Sequence, residues 1–173
     1  MTNIPRTRGQ VREMNESDPA VISGAFAEQD WVKPVELYQK YYQEQREGKR
    51  VVLIAEADGE FAGYVTVVWE SGYPFFREQG IPEVKDFNVL IKFRRRGVGT
   101  MLMDQAEEVI RKRASVAGIG VGVFSDYGNA QTLYVKRGYV PDGKGVHQGE
   151  RYLQRGDAVV IDDDMALYLI KQL

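Results

Sequence analysis

One stretch constrains the fold more than any other: Asp86-Phe87-Asn88-Val89-Leu90-Ile91-Lys92-Phe93-Arg94-Arg95-Arg96-Gly97-Val98-Gly99-Thr100-Met101-Leu102-Met103. It begins as an apolar strand and turns through a corner rich in arginine and glycine. It continues with Met101, Leu102, Ala106, Val109 and Ile110 at the spacing of a helix with one buried face. Arg94, Arg95 and Arg96 stand where that helix starts. The positive end of a helix dipole disfavours cations by roughly 0.3–1 kcal/mol each, and acidic residues are the expected occupants. An anion docked on the corner removes the conflict. Gly97 and Gly99 carry no Cβ, so such an anion can approach the backbone N–H groups. The local reading is a strand, a phosphate loop and a helix. A Walker loop needs Gly-x-x-x-x-Gly-Lys-Ser/Thr, which is absent. The dinucleotide fingerprint Gly-x-Gly-x-x-Gly fails because Leu102 stands at its third glycine.

A chain of 173 residues is most simply one domain, 1–173, with one core. Its 43% hydrophobic and 28% charged content is that of a soluble globular protein. A net charge of −2 gives no electrostatic reason to expect nucleic acid or an anionic membrane as partner, and three arginines are a thin footprint for DNA. The absence of cysteine excludes disulfides, thiolate metal sites and a Cys-acyl intermediate. His147 is the only histidine, which excludes a multi-histidine site, and no metal is expected. Met1 to Gln10 is polar and basic rather than a secretory signal. No apolar run approaches a membrane span, so a cytoplasmic protein is expected.

In chain order, Thr7–Met14 reads as a first strand. A helix from Ser17 or Asp18 runs through Phe26, and a second from Pro34 runs to Gly48. Arg50–Ala57 and Glu60–Trp69 are strands joined at Asp58-Gly59. Glu70–Gly80 reads as an aromatic loop, and Pro82–Ile91 as the central strand. The long helix is expected to end near Gly118. Ile119–Phe124 follows as a strand whose Gly120 and Gly122 signal close approach by something. Gly128–Arg137 is a short helix closed by Gly138. Tyr139-Val140 starts a strand, Pro141–Gly149 reads as a turn-rich loop and Met165–Ile170 as the last strand.

Arg94-Arg95-Arg96-Gly97-Val98-Gly99 resembles the pyrophosphate loop of the GNAT superfamily of N-acetyltransferases, Arg/Gln-x-x-Gly-x-Gly/Ala, at every position. The segment Ala130 to Tyr139 resembles the family's other motif, Asn-x-x-Ala-x-x-Leu-Tyr-x-x-x-Gly-Phe. Ala130, Leu133, Tyr134 and Gly138 fall in register, and Tyr139 replaces the Phe. Tyr127 occupies the Asn position, with Asn129 two residues later. The resemblance covers residues 50–173 by motif and strand pattern, and the N-terminal part by element order. It implies a mixed α/β (α+β) fold: a mostly antiparallel twisted sheet of six to seven strands, flanked by about four helices and splayed at the central strand.

The same resemblance implies an N-acetyltransferase that moves an acetyl group directly from acetyl-CoA, its co-substrate, to a primary amine of a small molecule or peptide. The phosphates would sit on Arg94, Arg95, Arg96, Gly97, Val98, Gly99 and Thr100. The N–H groups of Val89, Leu90 and Ile91 would pair with the pantetheine arm and the acetyl carbonyl, and Asn129 would reach the arm. Tyr134 would contact the cofactor and act in catalysis, since a phenol of pKa about 10 can donate to a thiolate whose acid has pKa about 8.5. Asp86 is the catalytic base candidate, sharing a strand face with Asn88, and Glu83 is the alternative. A salt-bridged Asp86 that only orients the amine is the competing reading. His147 reads as a surface residue and Asp162–Asp164 as a solvated turn. The alternative function is a non-catalytic acyl-CoA-binding or regulatory module, which would need neither Asp86 nor Tyr134. The acceptor amine does not follow from the sequence, and a homodimer stays open.

Overall fold

The computed structural model describes residues 9–173, which form one eight-stranded sheet and five helices. Thr7 and Arg8, read as the start of the first strand, lie outside the described residues. Strand β1 is Gly9–Glu13, followed by helices α1 (Asp18–Ala27) and α2 (Val35–Arg46). Strands β2 (Arg50–Ala57) and β3 (Glu60–Val68) are joined at Asp58 and Gly59. Both have positive φ, 55° and 84°, as a tight two-residue hairpin turn demands. Strand β4 (Glu83–Val89) leads through a short turn into α4 (Val98–Arg111), whose Leu102, Met103, Ala106 and Ile110 form the buried face expected from their spacing. The sheet order is β1-β2-β3-β4-β5-β8-β6-β7, with β5 at Val116–Gly122 and β8 at Met165–Gln172.

Two layers of helix cover the sheet. Phe87 meets Gly99 of α4, whereas its neighbour Asn88 bonds to Tyr64, which packs on Phe26 of α1 and Tyr38 of α2. Adjacent strand residues face opposite ways, so α1 and α2 lie on one face and α4 on the other. The feature that positions the site is a parting of strands. Parallel β4 and β5 pair only at Glu83–Gly118 and Val84–Ile119, then diverge. A bulge opposite Val65 places Asp86 at φ 52° just beyond the parting.

Several expectations are corrected. The aromatic stretch 70–80 contains a helix, α3 (Pro74–Gln79), opened by Pro74 and closed by Gly80 at φ 64°. Its Phe76 is fully buried against Gly118. Helix α4 ends at Arg111, well short of Gly118, and β5 starts at Val116 rather than Ile119. The cause is non-local: Val116 through Gly122 form a ladder with β8, and Gly118 serves that strand instead of capping a helix. Residues Pro141–Gly149, read as a loop, mostly belong to strand β6 (Val140–Gln148). Its glycines Gly143 and Gly145 take positive φ inside a bulge opposite β8. With β7 (Arg151–Tyr152) the strands number eight rather than six to seven. The expected short helix is α5 (Gly128–Lys136), and α3 brings the helices to five against about four. No helix among the described residues is long and apolar enough to cross a membrane.

Candidate active site

Where β4 and β5 part, a cavity of about 1330 Å³ opens between them, lined from both faces of the sheet. One end is the arginine corner. Gly97 stands at φ 90° before the first turn of α4, and Arg95 at φ 60°. None of the N–H groups from Arg95 to Thr100 meets a protein acceptor among the described residues. Arg94 and Arg95 line the cavity, and neither makes an ion pair among the described residues; Arg94 Nε donates to the Val89 carbonyl at 3.1 Å. Arg96 is spent elsewhere, on Asp58 at 2.7 Å, and does not line the cavity. Gly99 does line it, and its missing Cβ serves the fold as well. A Cβ there would lie 3.0 Å from the Phe87 ring, so glycine lets α4 seat against β4. Val98 is buried in the core and Thr100 is exposed outside the cavity.

The expected trio of strand N–H groups reduces to one. Leu90 N–H donates to the Ala62 carbonyl at 2.9 Å, and Ile91 N–H to Gln29 Oε1 at 3.0 Å. Both are therefore engaged by the protein itself. Since successive N–H groups alternate between strand edges, Val89 turns its own toward the edge that β5 has vacated. Val89 lines the cavity; Leu90 and Ile91 do not.

Beyond Val89 the cavity meets α5. Tyr134 is 5% exposed, its ring beside Phe87 and Tyr139, and its hydroxyl has no protein partner among the described residues. Burial raises its pKa, so the hydroxyl keeps its proton. Asn129 lines the cavity, whereas Tyr127 donates from its hydroxyl to Asp163 at 3.0 Å.

Two acids stand on β4. Asp86 accepts from Tyr41 Oη at 2.8 Å and from Arg50 Nη1 at 3.2 Å, so its Oδ2 is committed to orientation and charge pairing. Glu83 is 3% exposed, accepts from Ser71 Oγ at 2.6 Å, and has its pKa raised by burial, with Lys85 and the Ser71 bond pulling the other way. Both line the cavity. His147, read as a surface residue, is 4% exposed and lines the cavity among Tyr73, Tyr152 and Tyr168. Strand β6 carries it inward, and burial lowers its pKa, holding it neutral. The glycines of β5 are explained by the protein's own rings. A Cβ on Gly118, Gly120 or Gly122 would strike Phe76, Tyr168 or Tyr127 respectively. Trp31, Lys33, Lys85 and Tyr168 also line it without any local signal in the sequence, because they come from three separate places, the α1–α2 connection, β4 and β8.

Residues 19–139 match the profile of the acetyltransferase (GNAT) family, and the chain belongs to that family. Its fold is shared with several solved structures. Ribosomal-protein-alanine N-acetyltransferase from Brucella melitensis has 19% identity over 95% of this chain and 99% of that one, with a TM-score of 0.64. The protein yncA from Salmonella typhimurium, solved with its cofactor acetyl-CoA, has 17% identity over 95% and 93%, with a TM-score of 0.66. Ard1 from Thermoplasma volcanium has 19% identity over 95% and 97%, with a TM-score of 0.68. No curated protein is significantly similar to the chain in sequence.

Proposed function

We propose that this protein is an acetyl-CoA-dependent N-acetyltransferase that passes the acetyl group directly to a primary amine. One observation carries the reading: a single cavity joins loop N–H groups and two arginines that have no acceptor or ion pair among the described residues to a protonated tyrosine and a buried glutamate. Family membership and the acetyl-CoA bound by yncA support it. Arg94, Arg95 and the start of α4 hold the diphosphate, with the helix dipole adding to the attraction. The pantetheine arm lies along the vacated edge of β4, near Asn129.

In this reading Glu83 accepts the amine proton. Its buried position makes it a stronger base than an ordinary carboxylate, whereas Asp86 has its Oδ2 engaged by Arg50 and Tyr41 and positions the acceptor. As the amine nitrogen bonds to the carbonyl carbon, Val89 N–H donates to the developing oxyanion. Tyr134 donates its proton to the sulfur as the C–S bond breaks, and CoA leaves as the free thiol.

Thermal melts with CoA and with acetyl-CoA test the first half. A ligand at 100 times its Kd adds about 2.7 kcal/mol of stability. Thiol release with a panel of amines tests the second. No melt shift with either ligand would remove the reading. A shift without thiol release from any amine would leave a non-catalytic acyl-CoA-binding module.

A further inference from the structure

The connection between α1 and α2 carries a cation that has no anionic partner among the described residues. Its backbone is anchored: Ser23 Oγ donates to the Lys33 carbonyl at 2.6 Å, and Trp31 N–H to the Phe26 carbonyl at 3.0 Å. The Lys33 ammonium lies 4.2 Å from the Trp31 ring centroid, 4.8 Å from Phe26 and 5.8 Å from Tyr64, in the cavity wall. Aromatic faces attract a cation but accept only weakly, and an ammonium has three N–H donors to satisfy. Among the described residues no carboxylate comes within ion-pair distance of Lys33. The acid whose field reaches it, Asp86, is already held by Arg50 and Tyr41. Burial lowers the Lys33 pKa, so the charged form lacks the stabilisation a partner would give. Lys85 lines the same cavity and also makes no ion pair among the described residues. Glu150, Asp163 and Asp164 line it from the β6–β8 side, and Glu83 and Asp86 from β4.

We infer that the acceptor is an amino acid or a similar small amine bearing a carboxylate, and that Lys33 binds that carboxylate. The inference rests on the acetyl-transfer reading above. A carboxylate supplies the missing acceptors and the missing counter-charge together. Glu83 and Val89, the groups assigned to the amine proton and the carbonyl oxygen, line the same cavity as Lys33. A carboxylate on Lys33 therefore keeps its own α-amine within the cavity where those groups act. A polyamine that set a second ammonium at Lys33 would meet a like charge there.

Thiol release from acetyl-CoA, measured with the twenty L-amino acids, their decarboxylated amines and spermidine, tests this. The expected result is at least one amino acid used with a kcat/KM about tenfold or more above that of its decarboxylated amine. Lys33→Met should bring that ratio toward one through the KM of the acid, and Lys33→Arg should keep most of it. A melt shift of each variant with acetyl-CoA confirms a folded, loaded enzyme. If Lys33→Met does not fold, the wild-type ratio and the Lys33→Arg ratio still decide. A wild-type enzyme that uses decarboxylated amines as well as the acids, or uses spermidine alone, overturns the inference, as does a ratio unmoved by Lys33→Met. No thiol release from any amine, alongside a normal acetyl-CoA melt shift, strikes instead at the acetyl-transfer reading, and the inference falls with it.

Discussion

Two glycine-bearing stretches face each other across the cleft, and they are glycine for different reasons. At the start of α4, Gly97 needs its positive φ and nothing approaches the place of its missing Cβ. The neighbouring N–H groups have no protein acceptor among the described residues. On β5, Gly118, Gly120 and Gly122 have aromatic rings lying against the backbone, at 2.2 to 2.9 Å from where a Cβ would be. The first stretch leaves room for something from outside. The second has already filled its room with Phe76, Tyr168 and Tyr127 and so builds a wall. Glycine alone says that a close approach occurs; only the neighbours say whether the visitor is a ligand or the protein's own side chain.

Substitutions can break this contrast. The largest effect belongs on β5, at a glycine outside the cavity lining. Gly118→Val forces a side chain into Phe76, which is fully buried and cannot retreat. Chemical denaturation should show a loss of about 3 kcal/mol, while the remaining folded protein binds CoA as before. Weakened CoA binding at normal stability would mean that β5 belongs to the ligand site after all.

Next comes the acid between the two stretches. Glu83→Gln should lower kcat on the order of 10²-fold. In the wild type, activity should fall on acidification through a pKa above the ordinary carboxylate range, because burial raises this group and only its deprotonated form accepts a proton. That acidic limb should vanish in the Gln variant. If it persists, and moves only in Asp86→Asn, the base is Asp86.

At the loop, Arg94→Ala combined with Arg95→Ala should weaken CoA binding by about 10- to 100-fold in calorimetric titration. Stability should stay within about 0.5 kcal/mol, since neither arginine is ion-paired among the described residues. A large loss of stability with unchanged affinity would make the corner a structural one. The smallest effect is Gly97→Ala. Its methyl meets nothing within 4 Å, so only the φ of 90° resists it, at about 1 kcal/mol in a melting experiment.

Much of this molecule is legible residue by residue. The Asp58-Gly59 hairpin, the apolar face of α4 and the Gly97 corner depend on torsions and on neighbours a few positions away, and all appear in place. The extent of β5 and β6 was less legible, because partners distant in the chain settle a strand's length. Pro141–Gly149 has the composition of a turn, yet pairing with β8 makes most of it a strand and carries His147 inside. The strand N–H groups show the same limit. That Leu90 and Ile91 are engaged while Val89 is left over depends on Ala62 and Gln29, neither of which is near in sequence.

The sequence by itself determined the order of the elements, the arginine and glycine corner between strand and helix, and the tyrosine on the short helix that follows, because these are written in local spacing and backbone preference. Tertiary structure alone decided where β4 and β5 separate, which acid is buried and which is ion-paired, and that Lys33 sits among aromatic rings in the cavity lining. Those outcomes are set by burial and pairing between distant residues, and desolvation changes the chemistry of a group without changing its name.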